Sequence, residues 1–273
     1  MTRLFLIFLA IAFGFQVFAQ NKMNIHTASG QQQYSITESD SMFFDADNDL
    51  VFFRINESLM EFSVSEIDSI TFDVVTDSTI YIDYQGSTVS VINPLADLGV
   101  EIAVSGADVT VVSTATIKDI NYVLSGTTSE GFFKIYSDLR LNLLRKGLNI
   151  TNNDGPAINI QSNKKARVNL VAGTINTLTD GETYAASSED QSAAFFSEGD
   201  LVFIGSGSLT VNGFGEDQNG IRSDDEVEVN EGTITIASAV KDGIHGKNGF
   251  RMNGGEVNIS SQGDGIDGSE GHI

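Results

Sequence analysis

The sequence contains no cysteine and no tryptophan, only two prolines, and 15 Lys+Arg against 37 Asp+Glu. Without cysteine there can be no disulfide framework, no thiol nucleophile and no thiolate metal site. The scarcity of cations leaves no basic surface to neutralise phosphates, so nucleic acid and anionic membrane surfaces are excluded as partners. No convincing long amphipathic helix is visible. What is abundant is glycine, at 27 residues, together with alternating β-branched stretches, the composition of a turn-rich all-β chain. The formal net charge of -22 has two readings. It can be a solvated surface, or carboxylates gathered to hold divalent cations. Many of the acids stand beside glycine at recurring places, which favours the second.

The first residues read as a targeting segment. Arg3 is followed by an apolar run from Leu4 to Phe13, and Val17-Phe18-Ala19 precedes Gln20 as a cleavage site. Ten apolar residues are too few for a mature membrane anchor. The expectation is a signal peptide over 1–19, a mature chain that begins near Gln20 without a transmembrane segment, and a secreted, periplasmic or extracellular location.

Residues 20–76 read as a small N-terminal β module. Within it, Tyr34 to Asp45 is echoed by Phe62 to Asp73, each copy an alternating strand followed by a Ser-rich turn. Ile67-Asp68-Ser69-Ile70-Thr71-Phe72 resembles a short module of exported Bacteroidetes proteins, and a spacer role is expected for it. Strands are expected over Thr79–Tyr84, Val89–Val91, Val100–Val104 and Val109–Val112. Asp138 to Lys146 is compatible with a short helix.

The main signal is a repeat. Gly220-Ile221, Gly243-Ile244 and Gly265-Ile266 align, and Val227, Val229, Ile234 and Ile236 then fall opposite Phe250, Met252, Val257 and Ile259. Gly232 falls opposite Gly255. Earlier copies start at Ala194-Phe195 and Ala157-Ile158, separated by an insertion around Thr179–Gln191. Three strand-like pieces per copy of about 22–23 residues predict a right-handed single-stranded parallel β-helix over 77–273, with stacked inward columns of Ile, Val, Leu and Phe. A leucine-rich repeat has a similar period, but its helix segment and asparagine ladder are missing. The last copy stops at His272-Ile273, so the helix is expected to be truncated there, with a frayed final coil.

The motifs Asn219-Gly220-Ile221, Asp242-Gly243-Ile244 and Asp264-Gly265-Ile266, with their Gly-Thr-Ile-Thr-Ile-type connecting strands, resemble a known family. So do Leu124-Ser125-Gly126, Asn152-Asn153-Asp154-Gly155-Pro156-Ala157-Ile158, Thr179-Asp180-Gly181 and Gly205-Ser206-Gly207-Ser208-Leu209. This is the β-helical carbohydrate-binding domain family of secreted proteins from cellulose- and pectin-degrading bacteria. The resemblance implies a pectate-lyase-like coil, bound calcium, and binding of cellulose-like or acidic polysaccharide without established catalytic activity.

The repeat places Asn219, Asp242 and Asp264 in one column, where neighbouring carboxylates about 5 Å apart repel and call for a cation. Asp224, Asp225, Asp267 and Glu270 follow on the next turn as further candidate ligands. Hard oxygen donors point to calcium. The competing reading is ordinary Asp-Gly turn chemistry, each Asp accepting a local backbone bond. His245 and His272 occupy neighbouring coils, but two histidines do not make a zinc site. A lyase would need a base beside calcium, and Arg222 and Lys241, the cations flanking the column, are the candidates; they can equally balance local acids. Sugar platforms, without tryptophan, would come from Tyr184, Phe196, Phe214 or Phe250, although Phe195, Phe203 and Phe250 fit the inward columns better. Three functions follow: a calcium-dependent polysaccharide-binding module, a calcium-dependent lyase, and a structural or adhesive surface protein.

Overall fold

A computed structural model describes residues 19–36, 41–45, 48–55, 58–76 and 78–269. The segment read as a leader, up to Phe18, lies outside the described residues, as do Glu270 and His272. The chain falls into two compact units that part at Asp77 and Ser78. Among the described residues no helix is long and apolar enough to cross a membrane.

The first unit holds two three-stranded antiparallel sheets. Ala19–Thr27 lies between Gly30–Ile36 and Ile67–Thr76, and Leu50–Ile55 lies between Ser41–Asp45 and Ser58–Ser63. Period-two alternation gives each sheet one apolar face. Met23 and Ile25 bury theirs in one cluster with Val51, Phe53 and Ile55. Tyr34 and Phe62, equivalent in the internal echo, both pack against that cluster.

The second unit is a parallel β-solenoid of about six turns, and the described residues are nearly all-β. Its first face stacks Asp108–Ser113, Phe133–Ser137, Ile158–Gln161, Ala193–Ser197, Asn219–Ser223, Ile244–Gly246 and Ile266–Asp267. Val109, Phe133, Ile158, Phe195, Ile221, Ile244 and Ile266 occupy one register column, so successive coils take 24, 25, 37, 26, 23 and 22 residues. The 22–23-residue period holds only for the last coils. The apolar alignments read from the repeat, including Val227 with Phe250 and Ile236 with Ile259, are register pairs. Phe195 and Phe203 point inward and meet edge to face at 6.0 Å, and Phe250 joins the same core.

The second and third faces begin as one. Leu141–Thr151 is a single strand of 11 residues that pairs with Ala166–Leu170 along its first half and with Ile175–Thr179 along its second. This corrects the helical reading of Asp138 to Lys146: Leu141, Leu143 and Arg145 alternate inward with period two, and pairing with neighbouring strands overrides a weak local propensity. The strand bends at Gly147, whose φ is +73°. The amides of Gly147 and Leu148 donate to Oδ1 of the fully buried Asn176 at 3.1 and 3.0 Å, so the bend leaves no orphan donors. From there the coils are three-sided. At the other end, the antiparallel partners Thr88–Ile92 and Val100–Ser105 close the first coil.

Candidate binding cleft and acidic corner

The insertion between Thr179 and Ala193 explains the 37-residue coil, and it builds a site. It lies across the first face: Lys134 Nζ and the Tyr136 hydroxyl both bond Glu189, the former at 2.9 Å, and Gln161 donates to the carbonyl of Asp190 at 2.8 Å. These contacts hold the Glu189 carboxyl below its ordinary range, the Tyr136 bond being the largest cause. Asn159, on the outward column beneath, is buried and also donates to the Asp190 carbonyl. Phe196, a platform candidate from sequence, is fully buried there and offers no sugar-stacking surface.

At its start the insertion forms an open cleft of about 490 Å³, lined by Thr151, Asn153, Thr179, Asp180, Glu182 and Phe214 among others. Thr151, Thr179 and Asn212 share a register column of the third face, which brings hydroxyl and amide groups to one edge. Asp180 is the keystone. Its Oδ1 accepts the Phe214 amide at 2.5 Å, and its Oδ2 accepts the Tyr184 hydroxyl at 2.6 Å. Burial raises its pKa although each of these bonds opposes the shift. Phe214 keeps 47% of its surface exposed. Tyr184 is half-buried and its hydroxyl is committed to Asp180, so it braces a cleft residue without lining the cleft itself.

The acidic corner lies at the far coils. Asn219 and Asp242 do form a ladder: the Asp242 amide donates to Asn219 Oδ1 at 3.2 Å, and the Asp264 amide donates to Asp242 Oδ1 at 3.0 Å. Each side chain thus satisfies the backbone one coil on, a short counterpart of the asparagine ladder that the sequence did not show. Asn219 is fully buried and its amide donates to the Ser192 carbonyl at 3.0 Å, while the Asp264 side chain is exposed.

The structure does not bring the six expected ligands together. Asp224 and Asp225 stand at the opposite end of the first-face strand from Asn219 and Asp242, five residues or roughly 16 Å away in register. There Asp224 accepts Arg222 Nε at 2.9 Å, and Asp225 accepts Asn248 Nδ2 at 2.7 Å. Asp267, in contrast, converges with Asp242, and it does so around His245. Nδ1 of His245 lies 2.9 Å from Asp267 Oδ2 and 3.7 Å from Asp242 Oδ2. Calcium takes about 6–8 oxygens. The acidic and imidazole side chains that converge here among the described residues, two carboxylates and one histidine, would need backbone carbonyls or water beside them to complete that shell. Arg222 is neutralised by Asp224, and the Lys241 side chain is exposed. Sequence reasoning pairs His245 with His272 and sets it aside because two histidines do not make a zinc site. The available signal was register, since Asp267 is the residue one coil above His245.

A capped parallel solenoid with an insertion-built, hydroxyl-lined cleft is the class of β-helical domain that presents a surface rather than an enclosed pocket. The chain belongs to the family described as "Carbohydrate-binding domain-containing protein", which matches residues 105–272. A relative of that description from Acetivibrio thermocellus is 32% identical over 120 residues, 42% of this chain. The match spans 41% of that relative's length. The chain is also similar in structure to a protein described as the polysaccharide lyase-like protein from C. thermocellum, solved as a gadolinium derivative. The TM-score is 0.58 at 27% identity, over 68% of this chain and 74% of that one.

Proposed function

We propose that this chain is a non-catalytic polysaccharide-binding domain that takes a sugar chain in the cleft beside the insertion. The carrying observation is Phe214, a half-exposed aromatic on the wall of an open cleft otherwise lined by hydroxyl, amide and carboxylate groups. An aromatic face covers the apolar face of a pyranose ring, while polar neighbours exchange hydrogen bonds with its hydroxyls. Membership of the carbohydrate-binding family supports the same reading. A leader over 1–19 would deliver the domain to a secreted or surface location, where plant-type polysaccharide is found. Calcium dependence enters the proposal in a broader form, as a divalent ion at the acidic corner that steadies the last coils.

The test is retention on insoluble cellulose and on pectin, with and without chelator. Phe214→Ala is expected to weaken retention about tenfold, the equivalent of roughly 1.4 kcal/mol, at unchanged thermal stability. Full retention by this variant would place the binding surface elsewhere.

The lyase-like neighbour favours a second reading, calcium-assisted β-elimination. Arg222, its best candidate base, is held by Asp224 through Nε and Nη2, both at 2.9 Å. Release of unsaturated product from polygalacturonate would select the lyase.

A further inference from the structure

The geometry points to a site for a borderline divalent transition metal, of the zinc or cobalt class, formed by Asp242, His245 and Asp267 and distinct in chemistry from a calcium cage. Asp242 sits at the corner before a first-face strand, and His245 follows three residues later on that strand's outer side. Asp267 is the register partner of His245 one coil on. One oxygen from each carboxylate and one nitrogen from the imidazole lie within 4.8 Å of one another.

Two observations separate this cluster from a surface collection of acids. His245 is only 8% exposed, and its Nδ1 is a buried atom with no hydrogen-bond partner although Asp267 Oδ2 is 2.9 Å away. The contact is close, but its direction is wrong for an N–H to be shared. A buried ring nitrogen left in that state is destabilising unless an ion or proton serves it. The other ring nitrogen, Nε2, is 3.4 Å from Ser269 Oγ. A proton on Nε2 directed at Ser269 leaves the Nδ1 lone pair free to ligate, the arrangement metal-bound histidines adopt.

The distances also discriminate. Tetrahedral bonds of about 2.0–2.1 Å hold ligand atoms about 3.3 Å apart. The two histidine–carboxylate separations, 2.9 and 3.7 Å, bracket that value, so small rotamer adjustments suffice. Asp242 can ligate through Oδ2 without giving up its ladder bond, which uses Oδ1. Water would complete the coordination. Nitrogen with two oxygens is a donor set that suits zinc or cobalt and that calcium disfavours. The arrangement does not recur one coil earlier. There the corresponding residues are Asn219 and Arg222, with Arg222 held by Asp224.

The experiment uses the whole chain freed of metal, titrated with cobalt(II) and followed by visible absorption. The expectation is about one cobalt per chain, with the intense d–d bands of a low-coordinate site. Zinc should displace it, and an equal concentration of calcium should not. His245→Gln and Asp242→Asn should each weaken binding roughly tenfold or more. Asp242→Asn retains an Oδ1 acceptor, as Asn219 does in the preceding coil, so the ladder and the fold persist; the metal-free melting temperature checks this. Absence of cobalt bands, displacement by equal calcium, or variants that bind like the original chain would each overturn the site. Glycan retention is read separately, so failure here leaves the cleft proposal standing.

Discussion

Arg145 is the residue that least matches its surroundings. It is fully buried in an inward column between Leu124 and Leu170, and none of its three guanidinium nitrogens has a hydrogen-bond partner. Its nearest compensation is the Phe195 ring, whose centroid lies 4.8 Å from the guanidinium carbon. Burial pushes its pKa down to about 9. An unpaired buried charge is expensive, so Arg145→Leu should stabilise the protein at pH 7 by about 1–4 kcal/mol in denaturant titrations. The pH dependence has a definite sign. Between about 9 and the ordinary arginine value the unfolded chain binds more protons than the folded one, so the original protein gains stability as pH rises through that window. The advantage of Arg145→Leu should therefore shrink above pH 9. A pH-independent difference would mean that Arg145 stays charged in the folded core throughout that window, so that burial does not lower its pKa.

At the scale of elements, the small residues that precede the inward column of the first face divide into two groups. Ala157 and Ala194 carry a methyl group and are fully buried. Gly220 cannot: a Cβ there would lie 2.7 Å from the Gly243 carbonyl oxygen and 2.8 Å from Cγ2 of Ile236. The difference lies in the later coils, where the next corner and a core isoleucine close over the position. Gly220→Ala should cost about 1–3 kcal/mol by overpacking, read as a fall in melting temperature. An unchanged melting temperature would show that the last coils are loose enough to absorb a methyl group. The insertion behaves differently. It is held by charged and hydroxyl contacts from Glu189 and by backbone carbonyls, and it carries the cleft without belonging to the repeat.

At the scale of the molecule, a net charge of -22 decides how the domain meets different polymers. An acidic polysaccharide is repelled at long range, whereas a neutral one is not. Raising salt from about 10 to 150 mM shortens the screening length from about 30 to 8 Å. Retention on polygalacturonate should therefore increase with salt, while retention on cellulose should change little. Loss of polygalacturonate binding as salt rises would instead indicate a local cationic patch or ion bridge acting against the global charge.

Much of the architecture was legible in the sequence because a solenoid is nearly one-dimensional: each coil packs on its neighbours, so periodicity in the chain becomes register in space. Ile221, Ile244 and Ile266 aligned on paper and align in the core. Two things escaped. The strand Leu141–Thr151 has no clean repeat partner on paper, since it pairs with two later strands at once, and Arg145 masked its apolar alternation. The sites escaped in part because side-chain chemistry depends on which end of a strand a residue occupies. Asp224 and Asp242 read alike as candidate metal ligands, yet the first belongs to an arginine and the second to a histidine. Sequence alone determined the period, the inward columns, the position of the insertion and the excess of acid, because these follow from residue order. Only the tertiary structure decided which acids meet, that His245 stands between Asp242 and Asp267, that Phe196 is covered and that Phe214 is open, because those outcomes depend on the fold of the insertion and on stacking between coils.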